Sequence, residues 1–92
     1  MKVNFHRNAI KSLEKLREND KDKIRKKILD LSAIYDGTGI IPFQELQIKK
    51  LDGKWKSFYR MKIGKRRMIF GLDPINWEIN IFEIDNRGDI YK

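Results

Sequence analysis

The chain has 92 residues, enough for one domain with one modest core, and its 40% hydrophobic content with 11% aromatics is that of a folded chain. It has no cysteine, which excludes disulfides and thiol chemistry, and a single histidine leaves almost no zinc ligand set. No apolar run reaches membrane-spanning length and no signal-peptide pattern opens the chain, so the expectation is a cytoplasmic protein with no membrane contact.

Lys2-Val3-Asn4-Phe5-His6 alternates, with Val3 and Phe5 on one side, and predicts a short strand. Residues 8–18 switch to helical period: Ala9, Leu13 and Leu16 share a face, and Asn8 is the expected N-cap. Asn19-Asp20 is the expected break, with Asp20 capping a second helix. Ile24, Ile28, Leu31 and Ile34 carry that helix to about Tyr35, and Gly37 and Gly39 end it. Lys21, Lys23, Lys26 and Lys27 are balanced by Asp20, Asp22 and Asp30, which reads as a solvated face.

The second half reads as strands. Pro42 marks a loop, Leu46 and Ile48 alternate with polar residues, and Asp52-Gly53 is a hairpin signal. From Trp55 to Ile63, Trp55, Tyr59, Met61 and Ile63 fall on one face, expected to pack on the helices. Lys54, Lys56, Arg60 and Lys62 fall on the other. Gly64-Lys65 predicts a tight turn. Met68-Ile69-Phe70-Gly71-Leu72 is apolar at both parities and predicts a central strand; Asp73-Pro74-Ile75-Asn76 turns, and Trp77 to Ile84 is the next strand. The expected architecture is a single α+β domain over 1–92. In the order β-α-α-β-β-β-β, an N-terminal strand and a helical hairpin pack on a four-stranded antiparallel meander.

The net charge is +8, and all of it sits in one stretch. Between Lys49 and Arg67 there are nine cations (Lys49, Lys50, Lys54, Lys56, Arg60, Lys62, Lys65, Arg66, Arg67) against Asp52, so 9 − 1 = +8; elsewhere 12 cations meet 12 acids. Spread evenly, such lysines would be a solvated, aggregation-resistant strand face. Concentrated against a neutral remainder, they are the signature of a phosphate-binding surface, RNA above all. The turn at Gly64-Lys65 brings Arg66 and Arg67 back beside Lys62, and like charges across neighbouring strands cost roughly 0.2–1 kcal/mol per pair. A fold has no structural reason to collect them unless an anion completes the site. Like charge nearby favours the neutral form of a lysine, which then accepts a proton near neutrality. Arginine holds phosphate oxygens bidentately. The second-half acids Asp73, Glu78, Glu83, Asp85 and Asp89 show no convergent pair, which argues against a two-metal nuclease. His6 reads as structural or solvated, Trp55 and Trp77 as packing residues, and Tyr59 as core.

Phe58-Tyr59-Arg60-Met61-Lys62-Ile63-Gly64-Lys65-Arg66-Arg67-Met68-Ile69-Phe70 resembles the signature of the RelE/ParE toxin superfamily: a tyrosine, alternating cations, a glycine turn, then an arginine leading an apolar strand. The tail Arg87-Gly88-Asp89-Ile90-Tyr91-Lys92 is similar to the ending of RelE-like members, and the opening strand and helix match as well. The resemblance implies the toxin of a type II toxin–antitoxin module that enters the ribosomal A site and cleaves messenger RNA without cofactor or metal. In that chemistry a 2′-hydroxyl attacks the adjacent phosphate. Carried over by position, the implied catalytic residues are Arg60, Lys62, Arg67, Arg87 and Tyr91. Lys62 would be base or charge stabiliser, Arg67 would hold the phosphorane, Arg87 would ease loss of the 5′-oxygen, and Tyr91 would stack on a base or donate a hydrogen bond. Lys54, Lys56, Lys65 and Arg66 would hold RNA or ribosomal phosphates. The implied partners are an acidic, RelB-like antitoxin, the ribosome and its message, with DNA touched only through the antitoxin complex. Two alternatives stand beside this reading: a ParE-like gyrase inhibitor, which has no need of a phosphate-cleaving cluster, and a non-catalytic RNA-binding module, which would expose aromatics on its sheet.

Overall fold

The structure is a computed structural model and describes residues 1–85. The elements are β1 (Lys2–Phe5), α1 (Arg7–Glu14), α2 (Glu18–Thr38), β2 (Ile48–Lys50), β3 (Tyr59–Ile63), β4 (Arg66–Asp73) and β5 (Glu78–Asp85). The α+β architecture is as expected, with one extension. β1 does not merely pack on the meander; it joins it, pairing parallel with β5 from Lys2↔Glu78 to Phe5↔Ile81 and giving the five-stranded order β1-β5-β4-β3-β2. Because β1 and β2 lie at opposite edges, the chain between them must cross the sheet, and both helices lie on the same face. There Ala9, Ile24, Ile28 and Leu31 bury against Met61, Ile63, Met68, Phe70, Ile79, Ile81 and Ile84. Fully burying one such side chain contributes about 1.5–3 kcal/mol.

The helix boundaries differ from the sequence reading. His6, not Asn8, is the N-cap of α1: its backbone N–H is held by the Ile81 carbonyl at 2.8 Å, and its Nδ1 accepts the Asn8 N–H at 3.2 Å. The break between helices falls at Lys15–Arg17, where the Lys15 and Leu16 N–H groups donate back to Ser12 and Leu13. Asp20 does not cap; with Glu18 it lies in the first turn of α2, where a carboxylate meets the positive end of the helix dipole. Ile24, Ile28, Leu31 and Tyr35 form one buried stripe along α2. That helix runs through Gly37 to Thr38, where Gly39 takes φ +70° and donates its N–H to the Tyr35 carbonyl at 2.8 Å.

Two irregularities shape the sheet. The first is the loop 51–58. Instead of a two-residue hairpin at Asp52-Gly53, Gly53–Trp55 makes one turn of 3₁₀ helix, and Ser57 takes φ +83°, so β3 starts only at Tyr59. The Leu51 N–H to Phe58 carbonyl bond (3.0 Å) ties the loop's ends. The second is a bulge in β5: β4 pairs Ile69 with Glu83 and Phe70 with Ile81, leaving Phe82 as an extra residue. β4 is the central strand as expected, with Met68, Ile69 and Phe70 fully buried.

Two carboxylates tie down the ends of elements. Asp36, near the end of α2, accepts from the N-terminal ammonium at 2.8 Å and from the Trp77 indole N–H, and these bonds lower its pKa below the ordinary carboxylate value. Trp77 also stacks on Tyr35, ring centroids 4.9 Å apart. Asp73 accepts the N–H groups of Asn76 and Ile75 and the Asn76 side-chain amide in the β4–β5 turn, and its pKa is lowered chiefly by the Asn76 bonds.

Candidate nucleic-acid interface

Strand pleating sends alternate side chains to opposite faces. In β4, Met68, Phe70 and Leu72 face the helices; Arg67, Ile69 and Gly71 face away from them. Pairing extends that helix-free face into rows. One row is Lys49, Arg60, Ile69 and Glu83, the last at the edge where its carboxylate accepts from Ser12 of α1 at 3.4 Å, and the next is Lys62, Arg67 and Asp85. Like charges are therefore direct cross-strand neighbours twice, Lys49 with Arg60 and Lys62 with Arg67. Side chains so placed have Cβ atoms about 4.5–5.5 Å apart. Lys62 is exposed, while Arg60 and Arg67 are half-buried. The Arg67 Nε–H is out of water and has no hydrogen-bond partner among the described residues. A donor in that condition costs about 1–3 kcal/mol, which an anionic oxygen would relieve.

The other expected site residues are dispersed. Lys54 and Lys56 are exposed in the loop 51–58 rather than on a strand, because the positive φ at Ser57 breaks the alternation extrapolated from Tyr59. Lys65 is exposed in the β3–β4 turn. Arg66 turns to the helix side and pairs with Asp20 at 3.4 Å, which gives both a structural role. Arg87 and Tyr91 lie outside the described residues.

Lys49, counted in the basic stretch, takes its place on the face by pairing with Arg60. Two features were missed. Glu83 and Asp85, read as isolated acids, stand beside Ile69 and Arg67 because the bulge at Phe82 switches their parity. An unbroken alternation from Ile79 and Ile81 would point them at the helices, so no local signal marks them. Trp55 was expected to pack beneath the helices, but it forms a ring cluster with Phe58 and Phe82. Phe58 lies 3.6 Å from where a Gly71 Cβ would be, so the cluster covers the helix-free face, where Ile69 is fully buried. Tyr59 packs on the core as expected, its ring stacked on Phe70. Among the described residues no three His, Cys, Asp or Glu side chains converge as a metal site, and no helix is long and apolar enough to cross a membrane.

No family model and no curated protein matches the sequence. Solved structures do match the fold over nearly its whole length. A copper-bound mutant toxin from Helicobacter pylori is 22% identical with a TM-score of 0.74, covering 98% of each chain. The RelE–RelB complex from Pyrococcus horikoshii gives 22% and 0.67, covering 96% of each. The intact RelBE toxin–antitoxin complex of E. coli gives 16% and 0.70, covering 92% of this chain and 94% of that one. The fold is that of RelE-type toxins. Within the RelE-type fold, it is the helix-free face of β3 and β4 that carries the cation rows of this chain.

Proposed function

We infer that this protein is the toxin of a toxin–antitoxin pair and a ribosome-dependent messenger RNA endonuclease. The observation that carries this reading is the direct pairing of Lys62 with Arg67 on the helix-free face, with Lys49 and Arg60 in the adjacent row. The RelE-type fold supports it. The 2′-oxygen next to the scissile phosphate would be deprotonated or charge-stabilised by Lys62. It would attack phosphorus, and the charge gathering on the phosphorane oxygens would fall to Arg67, with Arg60 holding a flanking phosphate. Departure of the 5′-oxygen, which takes up a proton from Arg87 or from water as the P–O bond breaks, leaves a cyclic phosphate and a 5′-hydroxyl end. We assign that departure to Arg87, and base stacking or a hydrogen bond to Tyr91. Lys54, Lys56 and Lys65 are exposed around this face and would hold RNA or ribosomal phosphates, with a smaller part for Arg66, which Asp20 already engages. The partner that silences a chain of net charge +8 would be an acidic antitoxin covering this face.

The test is a translation extract given the purified protein, with primer extension on the message. Cuts in ribosome-bound message that disappear with Arg67→Ala are the expected result. Intact message together with DNA breaks in expressing cells would overturn the reading in favour of a gyrase poison.

A further inference from the structure

We propose that Trp55 is a nucleobase-stacking platform that holds single-stranded RNA on the helix-free face beside the cation rows; this rests on the RNA reading above and adds a binding site to it. Trp55, Phe58 and Phe82 form a closed triangle, with ring centroids 5.5 to 5.6 Å apart and both tryptophan contacts edge-on. None of the three belongs to the core beneath the helices. The triangle stands over Gly71, whose parity is that of Arg67 and Ile69. Gly71 and Arg67 are four residues apart on one strand, about 13 Å, a span that a few nucleotides cover.

Covering the sheet at Gly71 would by itself explain three apolar rings. It does not explain why both chain neighbours of the half-buried indole, Lys54 and Lys56, are exposed cations. Nor does it explain the geometry of the loop presenting it. Its ends are joined through Leu51 and Phe58, its middle is a 3₁₀ turn, and Ser57 holds a left-handed backbone, φ +83°, that a non-glycine residue rarely adopts. An aromatic face flanked by cations binds a single strand through base stacking and phosphate contact together. Sequence parity turns Trp55 inward, and only the loop geometry brings it to this face.

Trp55 and Trp77 are the two tryptophans, so Trp77→Phe leaves Trp55 as the only indole reporter. Titration of that variant with a short oligoadenylate at low salt is expected to quench Trp55 emission saturably, in parallel with the anisotropy of labelled RNA. Trp55→Ala is expected to weaken RNA binding roughly 5- to 100-fold, with Trp55→Phe restoring most of it. An abasic oligomer of the same length separates stacking from scaffolding: wild type and Trp55→Ala are expected to bind it equally. RNA binding that leaves Trp55 emission unchanged overturns the platform and leaves the cation reading standing, and so does an equal loss on the abasic oligomer. Failure of the wild-type protein to bind any RNA at low salt overturns the reading on which the platform rests.

Discussion

Beneath the helices, Met61, Met68, Phe70 and Ile81 are fully buried against residues of α1 and α2. On the reverse of the same strands, Lys62 faces Arg67 and Lys49 faces Arg60. One face gains free energy by excluding water; the other sets like charges side by side, with Asp85 as the acid next to Arg67, and leaves Arg67 Nε–H out of water without a partner among the described residues. A face on which four cations meet two acids, Glu83 and Asp85, is shaped for an anion that the free chain lacks. The rings beside Gly71 are the exception, a small apolar cluster on the same face as the charges.

The contrast is broken most severely by a charge placed beneath the helices. Ile84→Asp sets a carboxylate without a partner where Ile84 is buried opposite Met68. The expected loss is about 5 kcal/mol or more, the scale of a small domain's whole stability, seen as loss of a cooperative thermal melt by circular dichroism. Next is Phe70→Ala, which opens a cavity in the fully buried core and should cost about 3–5 kcal/mol, read by urea titration.

The helix-free face should answer with the opposite sign. Arg67→Ala is expected to lower cleavage of ribosome-bound message by about 100-fold or more while the fold persists. Lys62→Met removes a like-charge pair, so cleavage should fall while stability rises by roughly 0.2–1 kcal/mol. A drop in melting temperature for Lys62→Met would show that this face is ordinary structure.

The smallest effect is in acid. Asp36 and Asp73 have folded-state pKa values below the ordinary 3.8 of the unfolded chain. A depressed carboxylate stabilises the fold fully above the unfolded value, and that contribution is lost as pH falls through the folded one. Melting temperature should therefore be insensitive to these two groups at pH 5–7 and decline below about pH 4. Asp36→Asn should flatten part of that decline, and Trp77 emission should report its change of environment.

Much of this was legible in the sequence. The α+β order followed from a switch between helical and strand periods, and the central position of β4 from residues 68–72 being apolar at both parities. The meeting of Lys62 with Arg67 followed from a turn short enough to fix register at Gly64 and Lys65. Those are local properties, decided by spacing and by the turn chemistry of a few neighbouring residues.

What the tertiary structure alone decided is where alternation fails and which distant segments meet. Period-two reasoning holds only while the strand is unbroken. The positive φ of Ser57 ends it before Trp55, and the extra residue Phe82 resets it in β5. Hence Trp55 lies opposite the helices, and Glu83 and Asp85 stand beside Ile69 and Arg67. The parallel seat of β1 against β5 and the capture of Arg66 by Asp20 are contacts between segments far apart in sequence. They are set by how the helices cross the sheet, which no local pattern records. The charge at 49–67 was a property of the chain; its division into a helix-side ion pair, a cation-flanked ring platform and two paired rows belongs to the fold.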